Sequence, residues 1–200
     1  TLYQHEAEST GTLPVPADSA FAGDGDLEDG RVLEAWRARH FGLVCWHGHG
    51  SADSAWIGNE ETGMTGKIMD RFMTGELADD YPSVVVAISC ENGVPEGSLA
   101  HHLLRNGAVA ALAASSASSY TVGESRFEHS YSSSGWAYQF VKLLVQNNPI
   151  SLGAATYESK SFLGFEPETG RLSKNLVVFN LYGDPGLSWR VSAPSLLAAK

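Results

Sequence analysis

The chain has little cysteine, a shortage of positive charge and no long apolar run, and each shortage excludes a class of protein. Two cysteines in 200 residues exclude a disulfide framework and a cysteine-rich zinc site. The 13 basic residues stand against 23 acidic ones, for a formal net charge of −10, which predicts no nucleic-acid and no anionic-membrane partner. No apolar window reaches the roughly 18 residues that cross a bilayer. The first ten residues show neither the basic nor the apolar region of a signal peptide, so we expect none there.

What is present is typical of a folded domain, with 43% apolar and 18% charged residues. Four segments are apolar along their whole length rather than in alternation, which predicts strands that are buried on both faces of a parallel sheet. These strands are predicted at residues 41–46, 84–90, 108–114 and 176–182. Helices are predicted at residues 27–40, 98–106, 136–146 and 151–162. The sequence therefore predicts an α/β fold, a three-layer sandwich with a mostly parallel sheet and helices on both faces.

The remaining segments are predicted from their turn-forming residues and weaker periodicity. Residues 1–7 are predicted as a short strand and residues 67–77 as helical. Residues 8–26, 51–66 and 115–134 are predicted as loops, and residues 166–173 as a turn region. We expect residues 1–40 to form the edge strand, acidic loop and first helix, residues 41–192 the catalytic core, and residues 193–200 a tail.

Reactive side chains follow two of the predicted strands. His47 and His49 come at the end of the first strand, and Cys90 is the last residue of the second. Functional groups in such sheets gather beyond the carboxyl ends of the strands. A thiol there becomes a nucleophile when a base such as histidine lies beside it. The amides of Gly50 and Cys90 could form an oxyanion hole, whereas Cys45 lies mid-strand and is predicted to be a packing residue.

Four segments in this order, WHGHGSADSAW, AISCENG, AALAASSASSY and NLYGDPGL, resemble the gingipain family of cysteine peptidases, within the caspase-like clan. The resemblance covers residues 41–189, about three quarters of the chain. It implies a caspase-like fold and a cysteine endopeptidase that acts on peptide or protein substrates. The Gly-His-Gly-Ser tetrad places the family's general base on His49, and the Cys-x-Asn-Gly motif places its nucleophile on Cys90. The residues that fall at the primary specificity pocket are His47, Ile88, Ser115 and Tyr120.

The chain departs from the family pattern in its number of strands. Caspase-like sheets have six strands in the order 2-1-3-4-5-6, and residues 1–7 supply at most an edge strand here. The central first strand has no counterpart, and neither does the acidic segment that orients the histidine. We therefore predict that an N-terminal fragment or a second chain completes the sheet, as after zymogen processing. The resemblance and the acidic composition favour cleavage after Arg or Lys, and the resemblance allows a secreted or cell-surface location.

Three alternatives remain at this stage. His47, His49 and Asp53 could be ligands of a metal-dependent hydrolase, although the spacing supplies only part of a ligand set. A catalytically silent binding module could share the caspase-like fold. The acidic loop at residues 24–29 could hold calcium as a structural ion, although a solvated loop is the simpler interpretation. We expect no other cofactor.

Overall fold

A computed structural model provides the structure of the chain. It describes residues 2–3, 25–26, 29–59, 64–120, 127, 130–147, 149–162, 165–166, 171–172 and 174–190.

The described residues form short and medium-length strands together with five α-helices. The strands are β1 Leu2–Tyr3, β2 Gly25–Asp26, β3 Leu43–His47, β4 His49–Ser51, β5 Ser54–Asn59, β6 Met64–Asp70, β7 Ser83–Ile88, β8 Ala108–Ala114, β9 Ile150–Ser151, β10 Phe165–Glu166, β11 Arg171–Leu172, β12 Phe179–Gly183 and β13 Ser188–Trp189. The helices are α1 Arg31–Ala38, α2 Leu99–Arg105, α3 Ser133–Gln146, α4 Leu152–Ser161 and α5 Lys174–Val178. None of the helices in the described part of the chain combines the length and apolar character needed to span a membrane.

The central sheet has four strands in the order β12-β8-β7-β3. Strands β3 and β8 both pair with β7 in parallel, and β12 pairs with β8 antiparallel. The carboxyl ends of β3 and β7 therefore meet at one edge, as the sequence predicts. Strand β3 forms one side of the sheet, with no further strand beside it among the described residues.

Side chains alternate between two buried layers along the central strands. On β7, Val84, Val86 and Ile88 pack on the α3 and α4 side. Val85 and Ala87 pack on the opposite side, with the buried residues of α1 and α2. Every residue of β7 is buried, because both faces are covered. The prediction of an α/β sandwich with a mostly parallel sheet and helices on both faces is confirmed.

The predicted loop at residues 51–66 and the start of the predicted helix at 67–77 are wrong. Strands β4, β5 and β6 form a three-stranded antiparallel sheet there, and only Met73–Glu76 form a single 3₁₀ turn. The register shifts between Ala55 and Trp56, whose partners are Met69 and Lys67. This bulge places the consecutive residues Ile68 and Met69 both inside the core. Two adjacent buried residues break the alternation of a strand, which explains the mistaken helix.

Four further expectations need correction or restriction. The predicted strand at 176–182 begins as helix α5 and becomes extended only at Phe179. Strand β1 pairs in parallel with β2 in a small separate sheet, so it is not an edge strand of the central sheet; the rest of residues 1–24 lies outside the described residues. The residue Cys45 has exposed surface, but desolvation raises the pKa of its thiol to about 11, so the thiol itself is sheltered on a strand that has no neighbour on one side among the described residues. The predicted tail at 193–200 also lies outside the described residues.

Candidate active site

Cys90 lies just beyond the end of β7, at the start of a tight turn. The next residue, Glu91, has φ 61°, a left-handed conformation that is uncommon for a residue with a side chain and is often found at functional sites. The turn is held by the amide of Glu91, which donates to the carbonyl of Ser116, and by the amide of Gly93, which donates to the carbonyl of Ala114. The nucleophile candidate is therefore half-buried on a turn that is bonded to the end of β8.

The sulfur of Cys90 contacts one residue of the loop that follows β8. The amide of Ser118 donates to Sγ of Cys90 at 3.3 Å, and Oγ of Ser118 lies 3.7 Å from the same sulfur. An amide donor of this kind fixes the direction of the sulfur. Ser118 lies within the serine-rich stretch SSASS, but nothing in that stretch distinguishes it from its neighbours.

His49 stands on the β4–β5 hairpin, which packs directly on the Cys90 turn. Its imidazole is exposed and stacks on the Trp56 ring, with the ring centroids 6.2 Å apart. On one side of His49, the amide of Gly48 donates to the carbonyl of Ile88 at 3.0 Å. On the other side, a Cβ added to Gly50 would lie 2.3 Å from the carbonyl oxygen of Cys90. The structure thus brings the backbone on both sides of His49 against the end of β7 and the Cys90 turn.

Asn92 joins the Cys90 turn to the β4–β5 hairpin by side-chain hydrogen bonds. Its Nδ2 donates to the carbonyls of Ser51 at 2.6 Å and Ser54 at 2.8 Å. Its Oδ1 accepts a hydrogen bond from the hydroxyl of Ser89, which in turn accepts one from Nε1 of Trp46 at 3.2 Å. Asn92 has 0% of its surface exposed. In the sequence, Asn92 is the asparagine of the Cys-x-Asn-Gly motif.

His47 and Tyr120, both predicted as pocket residues, lie together. Their rings meet edge to face with centroids 6.2 Å apart, and Oγ of Ser134 lies 3.4 Å from Nε2 of His47. His47 and Tyr120 are exposed, so these side chains could contact a substrate. Ser134 was not singled out from the sequence, because it lies in a loop-like stretch 87 residues from His47.

Ile88 and Ser115, the other two predicted pocket residues, are placed differently. The Ile88 side chain is 2% exposed and packs in the core on the α3 and α4 side. The hydroxyl of Ser115 donates to the carbonyl of Val178 at 3.1 Å and accepts from Nδ2 of Asn180 at 3.2 Å. Ile88 is therefore part of the core at the end of β7, and Ser115 is held by the segment that leads into β12.

The residues of the alternative metal set do not converge. The carboxylate of Asp53 accepts a hydrogen bond from Ser51 at 3.2 Å and lies 3.6 Å from Nε of Arg71. Within the described residues, no group of three His, Cys, Asp or Glu side chains stands close enough to hold a metal ion. Of the acidic loop at 24–29, only Asp29 has a described side chain, which accepts a hydrogen bond from the amide of Lys67.

The geometry places a thiol on a tight turn and a histidine on the hairpin whose backbone packs against that turn, at the carboxyl ends of adjacent parallel strands. In a comparison with known families, the model of Peptidase family C25 matches residues 19–190. A comparison with curated proteins gives no match. The family match covers His49, Cys90 and all four strands of the central sheet. The chain therefore belongs to peptidase family C25, the gingipain family, and is a cysteine endopeptidase of caspase-like α/β fold.

Proposed function

We propose that the chain hydrolyses peptide bonds through a dyad of Cys90 and His49. His49 accepts the proton of the Cys90 thiol, and the sulfur attacks the carbonyl carbon of the scissile bond. The resulting oxyanion accepts hydrogen bonds from the amides of Gly50 and Cys90. The tetrahedral intermediate collapses to a thioester as His49 gives its proton to the leaving amine. A water molecule, deprotonated by His49, then attacks the thioester and releases the acid.

One observation carries this proposal: the Gly50 backbone packs against the carbonyl of Cys90. Since His49 is the residue before Gly50, its backbone lies next to the Cys90 turn. Gly50 has no side chain to separate the hairpin from that turn. Its backbone amide and that of Cys90 can therefore donate hydrogen bonds to the oxygen of the same scissile carbonyl. The hydrogen bond from the amide of Ser118 to the sulfur holds the thiol against the loop that follows β8.

The test uses matched pairs of variants in the intact natural protein. Cys90→Ala and His49→Ala should each lower kcat by several orders of magnitude, and Cys90→Ala should also abolish labelling by a peptide acyloxymethyl ketone. Cys45→Ala and His40→Ala are the controls, since both residues have exposed surface and neither has a role in the proposed site. A Cys90→Ala variant that retained the activity of Cys45→Ala would exclude the mechanism.

We further propose that substrates carry Arg or Lys before the scissile bond. The resemblance to gingipains and the net charge of −10 support this preference, because an acidic protein attracts cationic segments. The described residues near the site include no acidic side chain to which we can assign the role of receiving that basic group. Cleavage of a positional-scanning peptide library tests the preference, and a library profile led by apolar residues would contradict it.

We also propose that another strand pairs with the open side of β3. In a parallel ladder, alternate residues bond to one neighbour. The amide of Val84 donates to Gly42, and the amide of Gly48 donates to Ile88, so the even-numbered residues of β3 face β7. The amides and carbonyls of Leu43 and Cys45 then face the opposite side, where leaving them unpaired beside a core is unfavourable.

Hydrogen exchange along β3 tests this proposal with an internal control. In the isolated 200-residue chain, the amides of Leu43 and Cys45 should exchange much faster than those of Val44 and Trp46, which bond to β7. When the completing segment or chain is bound, all four should be protected. The proposal fails if the 200 residues alone are monomeric, cooperatively folded and fully active.

A further inference from the structure

The Asn92 side chain is buried and bonded to two separate parts of the proposed site. It stands two residues after Cys90, yet both of its N–H donors are used on the β4–β5 hairpin, at 2.6 and 2.8 Å. The carbonyls that accept them belong to Ser51 and Ser54, the two residues that flank the hairpin turn and pair with each other. Asn92 thus holds the hairpin at its tip, two residues from His49.

The backbone of the same segment strengthens this connection through α2. The amide of Leu99 donates to the carbonyl of Ala52 in the hairpin turn at 2.7 Å, and the amide of Ala100 donates to the carbonyl of Asn92 at 2.9 Å. The first turn of one helix therefore bonds both the hairpin and the Cys90 turn. Both hydrogen bonds join backbone groups, so no side-chain substitution removes them. A variant at Asn92 should therefore keep the fold while the position of the hairpin becomes less precise.

A third group of contacts fixes the amide itself. Its Oδ1 accepts from Ser89, whose hydroxyl accepts from the indole of Trp46. This chain orients the amide so that Nδ2, and not Oδ1, faces the hairpin carbonyls. Nδ2 would also lie 3.0 Å from a Cβ at Gly50, so the amide occupies the space immediately behind the residue that follows His49.

We propose that Asn92 is a positioning residue, which sets the distance between His49 and Cys90 by tying the β4–β5 hairpin to the Cys90 turn. This inference rests on the dyad proposed above. No described hydrogen bond joins the two reacting side chains to each other, so their relative position depends on the groups that hold their backbones. A displacement of about 1 Å between a base and its nucleophile can cost roughly 100-fold in rate.

The first test replaces Asn92 by Asp, which keeps the shape and the acceptor but removes both donors. In Asn92→Asp, kcat should fall by roughly 100-fold with KM nearly unchanged, because Asn92 makes no described hydrogen bond to His47 or Tyr120, the exposed residues predicted to bind the substrate. Thr156→Val is the control. It removes a buried hydroxyl that donates to Leu152 on α4, away from the site, and should leave kcat unchanged.

A second measurement separates positioning from a general structural defect. In a Cys45→Ala background, Cys90 is the only thiol, and its alkylation by iodoacetamide at alkaline pH requires no base. Asn92→Asp should be alkylated at the rate of the parent but labelled much more slowly by a peptide acyloxymethyl ketone. Equal losses of both reactions would show that Asn92 acts on Cys90 or on the fold, and would overturn the proposal.

Ser89→Ala supplies a milder variant if Asn92→Asp does not fold. It removes only the bond that orients the amide, so it should lower kcat by a smaller factor in the same pattern. Kinetics like those of Thr156→Val in both Asn92→Asp and Ser89→Ala would refute the positioning role. If Cys90→Ala or His49→Ala stayed active, the dyad itself would be wrong, which is a different failure.

Discussion

The substitution Gly50→Ala tests the close contact on which the active-site arrangement depends. A Cβ at this position would lie 2.3 Å from the carbonyl oxygen of Cys90 and 2.9 Å from Cβ of Ser89. Carbon and oxygen atoms rarely approach closer than about 3.3 Å even in weak C–H···O contacts. The hairpin and the Cys90 turn must therefore separate by about 1 Å, and the nearest obstacle is backbone that cannot rotate away.

The expected magnitudes follow from this displacement. Forcing a methyl group into a packed site costs about 1–3 kcal/mol of unfolding free energy. A base displaced by about 1 Å from its nucleophile costs roughly 100-fold in catalytic efficiency. The second effect should dominate in an assay, because a protein that remains folded at the assay temperature would still cleave slowly.

Catalytic efficiency on a fluorogenic peptide, together with urea unfolding, measures both quantities. Gly75→Ala is the matched control, since a Cβ there meets nothing within 4 Å; it should be active and of near-normal stability. If Gly50→Ala cleaved peptides as efficiently as Gly75→Ala, the hairpin would not lie against Cys90 in the working enzyme, and the placement of His49 would be refuted.

Two further predictions concern pH and stability. Desolvation raises the pKa of Tyr182 above 10.0 despite the opposing Asn180 contact, so the folded state keeps this proton longer than the unfolded one. The free energy of unfolding should therefore fall as the pH rises above 10.0. Tyr182→Phe loses the hydrogen bond to the carbonyl of Gly93 and should be about 1 kcal/mol less stable at neutral pH. In urea unfolding, the stability of this variant should depend less on alkaline pH. Burial of Asp70 acts to raise its pKa, but hydrogen bonds from Lys67 and two backbone amides outweigh it and hold the pKa below 3.8. The resulting stability is lost as the pH falls below 3.8, so Asp70→Asn should weaken the dependence of the unfolding free energy on acidic pH. The same acid dependence in the variant and the parent would contradict this prediction.

The central strands could be predicted from the sequence because their physical signature is local. The runs VVVAI and AVAALAA place apolar residues on both faces, and alternate residues of β7 and β8 do enter the two buried layers. The β4–β6 sheet could not be predicted in this way. Its first strand is three residues long, and the bulge opposite Ala55 and Trp56 destroys the alternation that identifies a strand.

The exposure of Cys45 shows a different limit. An apolar run indicates that a strand is suited to burial, but whether its residues are covered depends on which neighbour lies beside the strand. Four strands make the described central sheet, and β3 is at its side, so Cys45 has exposed surface although its thiol is desolvated. The strand count predicted a side without a neighbouring strand among the described residues, but the sequence could not show which residues would have exposed surface there.

Part of the candidate site is visible in sequence motifs, and the rest is visible only in the folded structure. Cys90 and His49 could be singled out as candidates because reactive side chains at strand ends are visible along the sequence. The contacts that hold them could not, because the bond from Asn92 to Ser51 spans 41 residues and that from Ser118 to Cys90 spans 28.

Gly50 and Asn92 act in opposite directions on one hairpin: the glycine permits its approach, and the amide prevents its withdrawal. A site held by contact on one side and hydrogen bonds on the other has a defined separation without any bond between its reacting groups. The proposed dyad therefore requires both residues at their positions for the same geometric reason.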